Sequence, residues 1–197
     1  MAGSSTSPAV GIPSEEADRL VAEAREGNQD AFASLFRASL PIVFSHLRSR
    51  CRDKTLAEDL TSETFMRALR AIGGFEGGSR DFLAWVLRIG RNIHLDHVKS
   101  GRVRWETVVE ELPVEQATSS PEAEALGRIE GDELRAALAE LTPEQQEVLQ
   151  LRFLHGLPIA EVAVVVGRNE GAVKALQFRA LKSLARVLAA RGIGAGP

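Results

Sequence analysis

Cysteine is nearly absent. The 197 residues hold one, Cys51, so the chain can build neither an internal disulfide framework nor a Cys-rich zinc site. Long apolar runs are missing too. The longest, near residues 158–167, is broken by Glu161 and falls far short of the roughly 20 residues a membrane-spanning helix needs, so no membrane contact is expected. The first residues lack a basic stretch followed by an apolar core, so no secretory signal is expected either. The expected compartment is a reducing cytoplasm. Large net charge is also lacking: 24 Lys and Arg stand against 27 Asp and Glu, a formal −3. No Gly-rich phosphate loop, nucleophile elbow or catalytic carboxylate pair can be found. Chemistry of those kinds is poorly supported, and no cofactor is implied.

What is present is ordinary in amount and uneven in placement. Hydrophobic residues make up 44% and charged residues 26%, the composition of a folded chain with one or two small domains. Residues 46–104 carry 12 Lys/Arg against seven Asp/Glu. Residues 105–133 carry nine acids against Arg128 alone. Residues 148–197 carry seven bases against two acids. The chain reads basic, acidic, basic, which points to two polyanion-binding units on an acidic tether.

Apolar spacing is helical throughout, and no sustained alternation suggests a sheet. Residues 1–13 are mostly Ser, Gly, Pro and Ala and read as a disordered tail. Ser14 is expected to cap a first helix that carries Leu20, Val21 and Ala24 and stops at Gly27. A second begins near Asp30 with Phe32, Leu35 and Phe36 inward, and Pro41 either kinks it or starts a new one. A third runs from Thr55 with Leu56, Leu60, Phe65, Leu69 and Ile72 facing the core. Gly73, Gly74, Gly77 and Gly78 form a loop around Phe75 and Glu76. A long helix follows from Arg80 to Ser100, with Phe82, Trp85, Val86, Ile89 and Ile93 on its apolar stripe. Residues 105–121 read as a linker, and a helix over 122–140 leads into a second unit. There Thr142-Pro143-Glu144-Gln145 has the pattern of a capping box with Pro at the first helical position. The helix it opens carries Val148, Leu149, Leu151 and Phe153 inward. Short and long helices then meet at Gly167, with Asn169 as the cap of the second. The fold class expected is all-α: two small helical domains, 14–104 and 122–192, joined by a flexible acidic linker, with a flexible end at 193–197.

Two constellations stand out. The helices meeting at Gly167-Arg168 form a helix-turn-helix candidate, whose second helix would enter the DNA major groove. Arg168, Asn169, Glu170, Lys174 and Gln177 lie near its start, with Arg179, Lys182 and Arg186 beyond. Glu can accept from cytosine, Gln can pair with adenine, and Lys can reach guanine or phosphate. The bland alternative is a solvated helix face. The second constellation lines up Arg80, Arg88, Arg91, Lys99, Arg102 and Arg104 with Asn92, Asp96 and His97. Phe75 and Trp85 are nearby. Cations with polar groups and aromatics suit melted or single-stranded DNA, although Trp85 also fits the core stripe and Phe75 would serve equally as a plug. His94 and His97 could face one metal, but no third ligand is evident and no metal site is expected. Cys51 between Arg50 and Arg52 suggests either a redox-sensitive thiol or, more simply, a partly buried one.

Several segments together resemble the bacterial RNA polymerase sigma factors of the extracytoplasmic-function (ECF) group. These are Asn28 to Phe32 with Leu35-Phe36, Ala57 to Phe65, Phe82 to Asn92 with Leu95-Asp96-His97, Leu141 to Leu149, and Glu170 to Lys174. The resemblance covers about residues 15–100 and 120–190. It implies a dissociable specificity subunit, not an enzyme. The first domain would bind core RNA polymerase, its β and β′ subunits, through Glu58, Asp59, Leu60, Glu63 and Phe65. Promoter DNA would be held at the −10 element by Phe75, Glu76, Arg80, Arg88, Arg91, Asn92, Asp96, His97 and Lys99. The second domain would read the −35 element through Arg168, Asn169, Glu170, Lys174, Gln177, Phe178, Arg179 and Lys182. The acidic linker would thread toward the RNA exit path. No fused regulatory domain is visible, so control by a separate anti-sigma protein is implied. One departure is clear: where the family usually has Ser and Arg after Val173-Lys174, this chain has Ala175 and Leu176. A weaker or altered −35 preference, leaning on Gln177 and Arg179, is expected. The alternative is a helix-turn-helix regulator whose first domain senses a signal or dimerises. Such a regulator would not need both the Glu58 to Phe65 segment and the basic helix.

Overall fold

A computed structural model describes residues 12–51, 53–102 and 133–192. All regular structure among them is helical. The first module holds α1 (Ser14–Arg25), α2 (Gln29–Arg48), α3 (Lys54–Ala71), a 3-10 turn (Ile72–Gly74) and α4 (Ser79–Arg102). The second holds α5 (residues 133–139), α6 (Pro143–Leu149), a π turn (Gln150–Leu154), α7 (Ile159–Val166) and α8 (Glu170–Ala190). The linker at 105–121 and most of the helix expected from 122 lie outside the described residues.

Local chemistry explains most helix starts. Asn28 Oδ1 accepts from Asp30 N at 3.0 Å and Ala31 N at 3.1 Å. Asp53 accepts from Leu56 N at 2.7 Å. Thr142 and Gln145 form the expected capping box with Pro143 at the first position. Asn169 accepts from Ala172 N at 2.8 Å. Each such cap satisfies backbone N–H groups that the helix itself cannot, contributing about 1 kcal/mol.

Three expectations are corrected. Ser14 is not a cap: Pro13 takes the flanking position, its carbonyl accepting from Ala17 N at 2.9 Å, and no side chain caps α1. Leu69 does not face the core. The buried stripe of α3 passes through Phe65 and Ala68 and leaves Leu69 45% exposed. Phe153 is also outside, 59% exposed. The last turn of α6 widens into the π turn, which brings Leu151 inward and swings Phe153 and Leu154 out. Of the two alternatives at Pro41, no new helix starts there: α2 runs through it.

The two modules are docked. α7 packs against α4. Val148, Leu151, Leu157, Val162 and Val165 join one continuous core with Leu47, Phe82, Leu83 and Leu87. The second module also has a small cluster of its own, Leu141, Leu149 and Ala180 with Leu138 and Leu184 packed on it. Ile12 packs against the shared core.

Candidate nucleic-acid interface

The acidic segment forms the exposed side of α3. Glu58 and Asp59 are exposed, and Glu63 accepts from Arg67 Nε at 2.7 Å on the same face. Lys54 pairs with Glu58 at 3.9 Å. Leu60 and Phe65 point the other way, into the core, where Phe65 meets Phe36 edge-on at 4.6 Å between ring centroids. They set the position of the helix rather than its outer surface. Met66 and Leu69, 48% and 45% exposed, add an apolar strip beside the charges. Sequence reading passed over Met66 and placed Leu69 inside.

The Gly-rich loop is built around Phe75. Its ring lies tilted against Trp85 at 4.7 Å and meets Phe82 edge-on at 6.2 Å between centroids. Gly77 folds directly over that ring: a Cβ there would lie 2.6 Å from Phe75 Cζ, so only glycine fits. Asp18 of α1 accepts from Ser79 N at 2.9 Å, and Asp81 accepts from Gly78 N at 3.1 Å. These contacts fix the loop at the start of α4. Phe75 is buried, while Glu76 is exposed. Arg88, Asn92, Asp96, His97 and Lys99 are exposed along α4. The side chains of Arg80 and Arg102, and Arg104 as a whole, lie outside the described residues.

The helix-turn-helix is formed as its sequence suggests. Gly167 takes the left-handed conformation at φ 68°, which ends α7 without the strain a Cβ would add. Arg168, Asn169, Glu170, Lys174, Phe178, Arg179 and Lys182 are exposed. Glu170 pairs with Lys174 at 3.6 Å, and Arg168 with Glu144 at 2.5 Å. Gln177 is half-buried and accepts from Arg152 Nε at 3.3 Å, so it is tied to the π turn. Leu176 belongs to the core at 6% exposure.

The two surfaces converge. Arg88 of α4 lines one groove together with Arg168, Asn169 and Glu170. Beside it lies a polar joint that sequence reading missed. Glu147, 6% exposed, accepts from Arg91 Nε with both oxygens, at 3.0 and 3.2 Å. Arg50 Nη2 approaches Glu147 at 3.5 Å. Gln150 Oε1 accepts from Arg50 at 2.8 Å and from Ser49 at 2.9 Å. Arg91 is therefore turned into the joint rather than onto the open face. The one available signal was periodicity: Glu147 shares a helix face with Leu151, four residues on, which is fully buried.

Three histidines surround the joint. His46 is fully buried, and its Nε2 has no hydrogen-bond partner among the described residues. Burial, and then Arg50, hold its pKa well below the ordinary value, so its 3.8 Å approach to Glu147 is not an ion pair. His155 is pushed down to about 4 by burial and Arg50, and burial lowers His94 as well. His94 Nε2 meets the Arg50 carbonyl at 3.2 Å whereas His97 is exposed, so the two do not share a metal-facing position. Cys51 is buried, and burial pushes its thiol up to about 11, the state of an inert thiol.

The architecture is that of a two-module, all-helical protein ending in a helix-turn-helix, with charged helices on its outside. Comparison with known proteins narrows this. Residues 35–104 match Sigma-70 region 2, and residues 131–184 match Sigma-70, region 4. The chain is 46% identical over 182 residues to the ECF RNA polymerase sigma factor BldN of Streptomyces coelicolor, spanning 92% of this chain and 69% of that one. It is 31% identical over 192 residues to the ECF RNA polymerase sigma factor SigD of Mycobacterium tuberculosis, spanning 94% and 90%. Its fold is similar to CnrH, solved in complex with the cytosolic domain of CnrY: TM-score 0.64 and 29% identity, over 88% of this chain and 98% of that one. The chain belongs to the sigma-70 family, in its ECF group.

Proposed function

We infer that this chain is a promoter-specificity subunit. It binds core RNA polymerase, directs it to promoters, opens the −10 element and reads the −35 element. The observation that carries this is the order of parts on one chain: an exposed acidic helix, an aromatic-lined loop leading into a long basic helix, and a helix-turn-helix, matched in sequence to the two sigma-70 regions. Residues 14–104 act as the polymerase and −10 domain, and residues 122–192 as the −35 domain, with 105–121 between them. Glu58, Asp59 and Glu63 meet the polymerase, joined by Met66 and Leu69. Leu60 and Phe65 hold that helix in place. Arg88, Asn92, Asp96, His97 and Lys99 meet −10 DNA with Arg80 and Arg91, beside the loop of Phe75 and Glu76. Arg168, Asn169, Glu170, Lys174, Phe178, Arg179 and Lys182 meet the −35 duplex. Gln177 contributes once it leaves Arg152. The buried Leu176 leaves Arg179 and Lys182 to hold phosphate.

The protein works by binding and not by catalysis, and it acts in the cytoplasm, where polymerase and promoters are. Among the described residues no helix is long and apolar enough to cross a membrane. A separate anti-sigma protein controls it, as the complex of CnrH with part of CnrY supports.

Reconstituted transcription tests the reading. The full chain is mixed with sigma-free core polymerase and a pool of genomic promoter fragments, with and without Glu58→Lys/Asp59→Lys. Specific transcripts that vanish with the charge-reversed chain are expected. Duplex binding without transcripts would instead favour a helix-turn-helix regulator.

A further inference from the structure

The π turn reaches α8 through one side chain. Arg152 donates from Nε to Gln177 Oε1 at 3.3 Å and from Nη1 to the carbonyl of Leu157. Leu157 is fully buried, and its own N–H donates to the Leu151 carbonyl at 3.0 Å. The guanidinium is therefore anchored at the turn before α7 and cannot follow Gln177 outward. Arginine has donors only, so the amide of Gln177 must present its oxygen to it. An amide pairs with adenine by using both of its groups, the oxygen toward N6 and the nitrogen toward N7. Held half-buried against the π turn, Gln177 cannot set both on a base edge.

We propose that Arg152 is a positioning residue for −35 recognition: by holding the amide oxygen of Gln177 it denies that side chain to adenine, and so sets which bases α8 distinguishes. The assignment deepens the reading of α8 as the −35 helix and rests on it. Competition favours the held state. A hydrogen bond from a charged donor is the stronger kind, and DNA must break it before Gln177 can pair. What a Gln–adenine pair returns is of the same order, so little net preference is left. Position gives the tether its consequence. Gln177 lies one turn beyond Lys174 and two beyond Glu170, both exposed, on the side of α8 that would face a base. A free glutamine there would add adenine to what the helix reads. The tether leaves the choice to Glu170 and Lys174.

The test uses the full chain with core polymerase. One promoter from the genomic pool is remade with a randomised −35 element and a barcode in each transcript, so that barcode counts give the base preference at every −35 position. Arg152→Met keeps much of the side-chain volume and frees the amide. It is expected to gain about tenfold preference for adenine at one position, and Arg152→Met/Gln177→Ala is expected to lose it. Gln177→Ala alone is expected to leave the native profile unchanged. A uniform loss of transcription in Arg152→Met, with the native base profile, overturns the assignment, because a residue that only packs or holds phosphate would give that. An adenine preference in the native chain that Gln177→Ala erases overturns it as well. Far-UV circular dichroism checks the helices. Should Arg152→Met fail to fold, Gln177→Glu decides: its carboxylate is expected to stay with Arg152 and leave the profile as it was, whereas a new cytosine preference overturns the assignment. A native chain that makes no promoter-specific transcripts sinks the −35 reading itself, and this assignment with it.

Discussion

The joint between the modules and the outer face at the turn before α8 both pair arginine with glutamate, in opposite settings. At the joint, Glu147 is almost fully enclosed and its partners, Arg50 and Arg91, come from another module. On the outer face, Glu144 meets Arg168 with both side chains about half exposed. These two glutamates stand three residues apart on one short helix. Burial separates their roles. An exposed pair is screened by water and salt and contributes little. A buried pair is costly to assemble and costlier to break from one side. The outer face is thus free to exchange partners, whereas the joint is held by contacts from both modules.

The largest effect that would break this comparison is at Glu147. Glu147→Ala should cost the docked arrangement up to about 3 kcal/mol, because two partly buried arginines lose their counter-charge. A urea titration followed by scattering would show the modules parting well before the helices melt.

Acid should act next, and in the same direction. His46 faces Arg50, Arg91, His94, His155 and Glu147, and it is neutral in the docked form. Once the modules part, its pKa returns toward 6.5. The docked form therefore binds fewer protons. Its stability is full above about pH 6.5 and declines as pH falls below that, with His94 and His155 adding to the loss. Scattering between pH 7.5 and 5.5 should show progressive expansion.

A smaller effect is expected at the start of α8. Asn169→Ala removes the cap on Ala172 N and should cost about 1 kcal/mol, read as a lower midpoint in thermal melting. The smallest is Glu144→Gln. Its loss should stay below about 1 kcal/mol and fade as salt rises, checked by melting at two ionic strengths. If Glu144→Gln proved as damaging as Glu147→Ala, the distinction between the two pairs would collapse.

The features legible in the sequence were the local ones. The capping box at Thr142, the cap at Asn169 and the stop at Gly167 each need only neighbours within a few residues. The family, too, was legible, because the segments around Ala57, Phe82, Leu141 and Glu170 recur in order. Features that depend on distant partners were not. Leu69 and Phe153 have helical spacing that suits a core, yet the first sits one step past the stripe and the second follows a π turn. Glu147 was given no role from the sequence. Its burial follows from Arg50 and Arg91, 97 and 56 residues earlier in the chain.

The most direct test is the distance between the modules. Dyes at Ser45→Cys and Ala185→Cys, in a Cys51→Ala background, mark exposed positions on α2 and α8. Energy transfer should be high in the free chain and should collapse on core polymerase with promoter DNA. Low transfer in the free chain, or transfer unchanged in a transcribing complex, would contradict a docked form that opens to reach both promoter elements.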